Sequence, residues 1–207
     1  MSTIKKYCVC LFGILLSALG MVLFYNSGFG SDPVSVFVDG LHYSLNLSYG
    51  TALNYFNLGI MLLALILAFQ NIQVGMILYL LLSGIFVNMF ENLIQSMNLS
   101  CSSLQRILLL FTGVVVANMG TGILISSGLG AGTWDTVLLV ITQKFHTQYR
   151  YIRFASDSFF IITGFLLGGI VGAGTFLSLM VAGSFVDFFQ NISDRTIMRT
   201  EDSSQNL

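Results

Sequence analysis

Long apolar segments joined by short polar connections dominate the hydrophobic pattern of this chain. Crossing a bilayer as a helix takes about 20 apolar residues, and the segments that qualify are 7–25, 49–69, 74–95, 106–126, 149–170 and 172–192. Two amphipathic stretches, 27–46 and 127–146, each follow a long segment and begin with a glycine-rich loop. The helix in each stretch would reach about 20 Å across a hydrocarbon core of roughly 30 Å. The pattern therefore predicts an all-α transmembrane fold.

The same order of segments occurs twice, which indicates an internal duplication. At an offset of 100 residues, 11–30 aligns with 111–130, and the identical positions of the first copy are Gly13, Gly20, Ser27, Gly28 and Gly30. At an offset of 99 residues, 74–93 aligns with 173–192, with identical residues at Gly75, Gly84, Phe86, Val87, Phe90 and Asn92. Apolar segments always match to some extent, but matched glycines at a steady offset rarely arise by chance. We expect two homologous repeats.

Domain boundaries follow from this duplication. Residues 1–6 are expected to be a cytoplasmic N-terminus, 7–97 membrane repeat 1, and 106–192 membrane repeat 2. Residues 193–207 are polar and are expected to be a disordered cytoplasmic tail. Because the first apolar segment belongs to a repeat, we expect a retained helix and not a cleaved signal peptide.

The number of spans depends on the two short helices. If each is re-entrant or interfacial, each repeat has three spanning helices, the chain has six, and the repeats are inverted. All basic residues except Arg106 then lie on the side of the N-terminus, which satisfies the positive-inside rule. If the short helices span, the chain has eight spans, the repeats are parallel, and all basic residues lie inside. Charge slightly favours eight spans, whereas helix length favours six, and we give length more weight.

Composition places the chain in the membrane and narrows the chemistry. Hydrophobic residues make up 55% of the 207 positions and charged residues only 8%, against about a quarter charged in soluble domains. The lipid bilayer is therefore the expected surrounding, and a net charge of −1 gives no indication of a nucleic-acid partner. The sequence has no Ser/His/Asp set, HExxH motif or Cys/His cluster. We expect no enzymatic activity, no metal and no cofactor.

The two loops that precede the short helices are the first candidate site. They read SGFGSDPVSV (27–36) and SGLGAGTWDT (127–136). Asp32 or Ser31 can cap the first helix and Pro33 suits its first turn, whereas Thr133 is expected to cap a helix that begins at Trp134. Transporters built on repeats direct such helix N-termini at a substrate near the midplane, but capped helices at the interface have the same pattern. Both interpretations stay open, with candidate substrate-binding residues Gly28, Gly30, Asp32, Gly128, Gly130, Asp135 and Asn57.

Polar residues inside the long segments are the second candidate site. At matched positions, Asn57 corresponds to Asp157 and Asn88 to Asp187. An aspartate at a helix centre costs about 2.5–3.5 kcal/mol on insertion scales, so such residues usually face the protein interior and have a role. Arg153 lies one turn before Asp157, so the two can form a salt bridge, which could also be purely structural. Asp187 lies near a helix end, where a solvated interfacial position is the simpler interpretation. The ion-coupling hypothesis names Arg153, Asp157 and Asp187.

Four motifs together resemble the YczE/YitT-like family of bacterial integral membrane proteins, closest to its YczE branch. They read GFGSDPVSV, GLGAGTWDTVL, RYIRFASDSFF and LLGGIVGAGTFLSLMVAG, and the resemblance covers residues 7–192. The sequence departs from the family pattern at Thr133, where proline is usual, at Asp157, where glutamate is typical, and at Ser35, which replaces an acid. The resemblance implies a multi-pass protein of the bacterial plasma membrane that is linked to export or transport.

The expected function is a secondary transporter or exporter of a small molecule through a site between the two repeats. The alternative is a membrane scaffold or sensor subunit that transports nothing and works with a partner. A homodimer or a partner protein is compatible with either function.

Overall fold

The computed structural model describes residues 3–67, 69–96, 102–147 and 149–205, and these ranges contain helices and no strand. The helices are α1 (Thr3–Asn26), α2 (Pro33–Leu45), α3 (Tyr49–Leu67), α4 (Val74–Ser96), α5 (Ser103–Ser126), α6 (Thr133–Lys144), α7 (Tyr149–Leu166) and α8 (Ala173–Gln205), with a 3-10 turn at Phe69–Asn71. The expected all-α fold is confirmed. The expected disorder from residue 193 is not seen in the described part of the tail, because α8 continues to Gln205.

Within the described ranges, α1, α3, α4 and α5 are long and apolar enough to cross a membrane. A fifth span is present if Ala173–Val181 and Ser184–Ser193 of α8, which are bent by 51° relative to each other, form one span. The expected sixth span, α7, contains Arg150, Arg153 and Asp157 in 18 residues, and it does not meet the same criteria. The count of six is therefore not confirmed by length and composition.

Small residues bring α1 and α5 into backbone contact. A Cβ added to Gly13 would lie 2.6 Å from the backbone nitrogen of Leu124, and one added to Gly113 would lie 2.5 Å from that of Phe24. Near the middle, a Cβ on Gly20 would lie 2.1 Å from the nitrogen of Ala117. As the residue number rises along α1, it falls along α5. The two helices are therefore antiparallel and packed closely enough to exclude larger side chains.

Helices from the first half of the chain pack on helices from the second half. The short helix α2 packs against α7, and the short helix α6 packs against α3. The first turn of α4 and the first turn of α8 each contact the glycine-rich loop of the other half. The Gly75 N–H donates to the Leu129 carbonyl over 2.8 Å, and the Gly174 N–H donates to the Phe29 carbonyl over 2.8 Å. Each glycine-rich loop is therefore held by the half of the chain that does not contain it.

One pair of contacts differs between the halves. In the first half α3 packs along α4, where the Gly50 N–H donates to Asn88 Oδ1 over 3.1 Å. In the second half, the described residues of α7 and α8 have no comparable contact, and α7 packs mainly on α2. The two halves share a chain order but differ in how their third and fourth helices pack.

The core lies between the helices, and the outer surface is apolar. Tyr49, Met76 and Val137 are at most 1% exposed. By contrast, Ile66 is 81% exposed and Met180 is 82% exposed. A soluble protein rarely exposes apolar surface on this scale, so these side chains are placed to contact lipid.

Candidate functional site

The two glycine-rich loops have the same backbone conformation. Gly28 and Gly30 have φ values of 73° and 94°, and Gly128 and Gly130 have 68° and 119°. These angles are in the left-handed region, which side chains strongly disfavour. A Cβ on Gly30 would also lie only 2.5 Å from Thr175 Oγ1. The structure therefore gives these four glycines a backbone role, shaping the loops that lead into α2 and α6.

At the start of α2, Asp32 closes the helix end with its own side chain. Asp32 is the N-cap residue, its Oδ2 accepts a hydrogen bond from the Ser35 N–H over 3.2 Å, and Pro33 is the first helical residue. The Asp32 Oδ1 accepts a hydrogen bond from the Ser35 hydroxyl. The predicted cap and the predicted position of Pro33 are both confirmed.

The start of α6 is different, and the prediction for it was wrong. The helix begins at Thr133, so Gly132 is the N-cap residue, and it has no side-chain cap bond. A Cβ on Gly132 would have Asp135 Oδ2 at 3.5 Å and the Tyr79 ring at 3.9 Å as its nearest neighbours, which is ordinary contact distance. The first amides of α6 are therefore left without the side-chain acceptor that Asp32 supplies in α2, and there is room beside them.

Asn57 connects three helices at this point. Its Nδ2 donates to Ser83 Oγ over 3.1 Å, and its Oδ1 accepts a hydrogen bond from the Thr133 hydroxyl. All three side chains are 1% exposed. Asn57 was predicted to contact substrate, and that stays a prediction; both of its polar groups form hydrogen bonds inside the protein. It positions the first turn of α6 against α3 and α4.

Arg153 binds two carboxylates at the N-terminal end of α6. Its Nη1 lies 2.8 Å from Asp135 Oδ1, and its Nε lies 3.1 Å from Asp157 Oδ2. The predicted Arg153–Asp157 pair is confirmed, and Asp135 joins it from α6. Asp157 is only 4% exposed, and no described residue donates a hydrogen bond to its Oδ1. One oxygen of a buried carboxylate is thus left for a proton or a ligand.

Both helix starts lie near this ion pair. The carboxylates of Asp32 and Asp135 are within electrostatic range of Asp157 and of the Tyr79 hydroxyl. The structure therefore brings together the predicted residues Asp32, Asp135, Arg153 and Asp157, with Asn57 adjoining through Thr133. The side chain of Asp187 is outside the described part of the structure. Three carboxylates and one guanidinium can exchange a proton or hold a polar ligand.

The sequence did not predict two parts of the site: the polar residues Tyr79 and Ser83 of α4, and the aromatic pair Trp134 and Phe160. Tyr79 and Ser83 lie one turn apart on α4, so two polar residues on one face of an apolar helix were an available signal. The Trp134 ring packs edge-on against Phe160, with centroids 4.9 Å apart, and its buried Nε1 has no hydrogen-bond partner among the described residues. Trp134 and Phe160 give the cluster one apolar side.

Comparison with known proteins places the chain in a family. The model described as "Family of unknown function (DUF6198)" matches residues 4–191. An uncharacterized protein of Haemophilus influenzae is 28% identical over 191 residues, which cover 92% of this chain and 86% of the relative. The uncharacterized membrane protein YczE of Bacillus subtilis is 27% identical over 183 residues, which cover 85% and 81%. No solved structure matches the chain. The chain therefore belongs to the DUF6198 family, and it is a YczE-like membrane protein.

Proposed function

We propose that this protein is a proton-coupled secondary transporter or exporter of a small molecule, located in a bacterial cell membrane with both termini in the cytoplasm. The observation that carries the proposal is the carboxylate of Asp157. It is buried, it pairs with Arg153 through Oδ2, and its Oδ1 has no described partner. Ionisable residues within membrane helices are costly and usually belong to a transport or proton pathway.

An inverted-repeat organisation explains the exchanged contacts between the halves. The Gly13–Leu124 contact becomes the Gly113–Phe24 contact when 100 is added to one residue number and subtracted from the other. If α1 and α5 are antiparallel, the chain crosses the membrane an odd number of times from the start of α1 to the start of α5, and α1, α3 and α4 are three such crossings. The eight-span alternative would make α1 and α5 parallel. With α7 and α8 as the remaining spans, the chain has six, and α2 and α6 are re-entrant.

The different packing of the two halves supports alternating access. Inverted repeats can exchange conformations, so that a site between them opens first to one side of the membrane and then to the other. Here α3 is packed on α4, whereas the described residues of α7 and α8 have no comparable packing. This state would be one end of the transport cycle. The other end would be the state in which α7 packs on α8 and α3 has left α4.

Arg153 gives a means of handling the coupling proton. When Asp157 is ionised, Arg153 is shared between Asp157 and Asp135. When Asp157 takes up a proton, Arg153 keeps Asp135 as its partner, so no buried charge is left alone. The matched residue of the first repeat is Asn57, which cannot titrate. Proton coupling would therefore reside in the second repeat, while the uncapped start of α6 would receive a polar group of the substrate.

The test uses purified full-length protein in proteoliposomes with an imposed pH gradient. The liposomes are incubated with a defined mixture of amino acids, organic acids and amines, and the accumulated compounds are identified by mass spectrometry. We expect the gradient to drive accumulation of at least one compound, and a protonophore to abolish it. Asp157→Asn should lose accumulation but keep exchange of that compound in the absence of a gradient.

Two outcomes would contradict the proposal. Unchanged gradient-driven accumulation by Asp157→Asn would exclude Asp157 as the proton carrier. No accumulation by folded protein, together with a stoichiometric partner on mild purification, would favour the scaffold or sensor alternative.

A further inference from the structure

A second buried carboxylate lies outside this cluster, in the middle of α2. Asp39 is 1% exposed. Its Oδ2 accepts a hydrogen bond over 2.8 Å from the Ile170 N–H, which belongs to the turn between α7 and α8. The bond therefore joins the first half of the chain to the second. Among the described residues it is the only hydrogen bond between α2 and this turn.

The turn and the last residues of α7 lie directly on the backbone of α2. A Cβ on Gly169 would be 2.2 Å from the Val36 carbonyl oxygen, and a Cβ on Gly40 would be 2.7 Å from the Gly164 carbonyl oxygen. Residues 168–172 of the turn contain three glycines and no titratable side chain. With so few side chains to pack, the position of the turn on α2 depends strongly on its one described hydrogen bond to that helix.

The other oxygen of Asp39 has no hydrogen-bond partner among the described residues. An ionised carboxylate that is buried with one backbone donor is costly, and uptake of a proton relieves that cost. The matched position of the second copy is Leu139, so the fold of a short helix at this place does not require an acid. Only one of the two short helices has this carboxylate.

Titratable groups surround Asp39 from each helix that is near it. They are Tyr25 on α1, His42 and Tyr43 on α2, Tyr49 on α3 and Glu91 on α4. The Tyr25 hydroxyl lies beside the carboxylate. Tyr43 is 47% exposed, and His42 and Glu91 are half-buried. The cluster thus leads from the protein surface to a buried acid, as a proton route requires.

We propose that Asp39 is a proton-binding latch that holds the α7–α8 turn on α2 when ionised and releases it when protonated. A hydrogen bond to a carboxylate is about twice as strong as one to a neutral acceptor, so protonation weakens the bond to Ile170. Release of the turn would free α7 to leave α2 and approach α8. This last step rests on the proposed transport function, whereas proton binding at Asp39 does not.

The experiment measures hydrogen–deuterium exchange of the segment that contains Ile170, in full-length protein in nanodiscs without substrate. Protection is corrected for intrinsic exchange at each pH between 5 and 8. We expect wild-type protection of this segment to fall several-fold as the pH is lowered. Asp39→Asn, which keeps an acceptor oxygen, should show low and pH-independent protection, and His42→Gln should retain the wild-type pH dependence.

A wild-type profile that is flat with pH would overturn the latch whatever the variants do. So would a wild-type profile in Asp39→Asn, or loss of the pH dependence in His42→Gln alone, which would identify His42 as the proton site. Because no transport is measured, failure of the latch leaves the transporter proposal to its own test with Asp157→Asn.

Discussion

Arg153 and Asp157 lie one helical turn apart on α7 and form an ion pair, with Nε 3.1 Å from Oδ2. The Asp157 side chain is buried, whereas the Arg153 side chain is 31% exposed. Arg153 also binds Asp135. A guanidinium that bridges two carboxylates from different helices fixes α7 against α6. We therefore expect the pair to affect stability as well as the proposed proton chemistry.

Loss of Arg153 should destabilise the protein more than loss of either acid. Arg153→Gln removes the guanidinium that contacts both carboxylates, and partial exposure limits the expected cost to about 1–3 kcal/mol. Thermal unfolding in detergent measures the effect. The double variant Arg153→Gln/Asp157→Asn should recover part of the loss, whereas strictly additive losses would show that the pair contributes no coupling energy.

The close approach of α1 and α5 should not tolerate even a methyl group. Gly20→Ala places a Cβ about 2 Å from the backbone of Ala117, and we expect a loss of roughly 1–3 kcal/mol in unfolding free energy. Gly59→Ala is the matched control, because a Cβ there meets nothing within 4 Å. Equal melting temperatures for the two variants would contradict the packing of α1 on α5.

Asn57 should act by positioning α6, and not by direct substrate contact. Asn57→Ala leaves the buried hydroxyls of Ser83 and Thr133 without their partner, which costs about 1–3 kcal/mol. If the two hydrogen bonds form one network, Asn57→Ala and Thr133→Val should be less than additive in a double-mutant cycle. Additive losses would show that the Asn57–Thr133 bond is energetically unimportant.

A side-chain cap at the start of α6 should raise stability but lower transport. Gly132 has φ −60° and ψ 165°, which a side chain can adopt. Gly132→Ser can therefore add the cap that α6 lacks, and we expect a gain of a few tenths of a kcal/mol. Transport should fall, because the added hydroxyl occupies the amides proposed for the substrate. Asp32→Ser is the control at the capped helix. A stabilised Gly132→Ser variant with full transport would exclude substrate binding at this helix end.

Local chemistry explains which features the sequence predicted correctly. Asp32 and Pro33 specify a helix start by themselves, and Arg153 and Asp157 are four residues apart, so both predictions needed no knowledge of the tertiary fold. Thr133 was expected to be a cap for equally local reasons, but Asn57 from α3 uses its hydroxyl, and α6 begins one residue earlier. The approach of Asp135 to Arg153 depends on the packing of α6 beside α7, which no spacing in the sequence reveals.

The most direct test of the inverted arrangement compares two cysteines for their side of the membrane. Cys101 lies between α4 and α5 in the chain; it is outside the described residues, but its sequence position is sufficient. Two single-cysteine variants are compared, and both have Cys8 and Cys10 replaced by serine. The first keeps Cys101, and the second carries Thr3→Cys together with Cys101→Ser. Intact cells are treated with a membrane-impermeant maleimide, and lysed cells serve as the labelling control.

Three crossings between the two positions predict opposite sides. Cys101 should react in intact cells, and Thr3→Cys only after lysis. Labelling of both positions under the same condition would mean an even number of crossings. That result would make the repeats parallel and would contradict a site between two opposed halves.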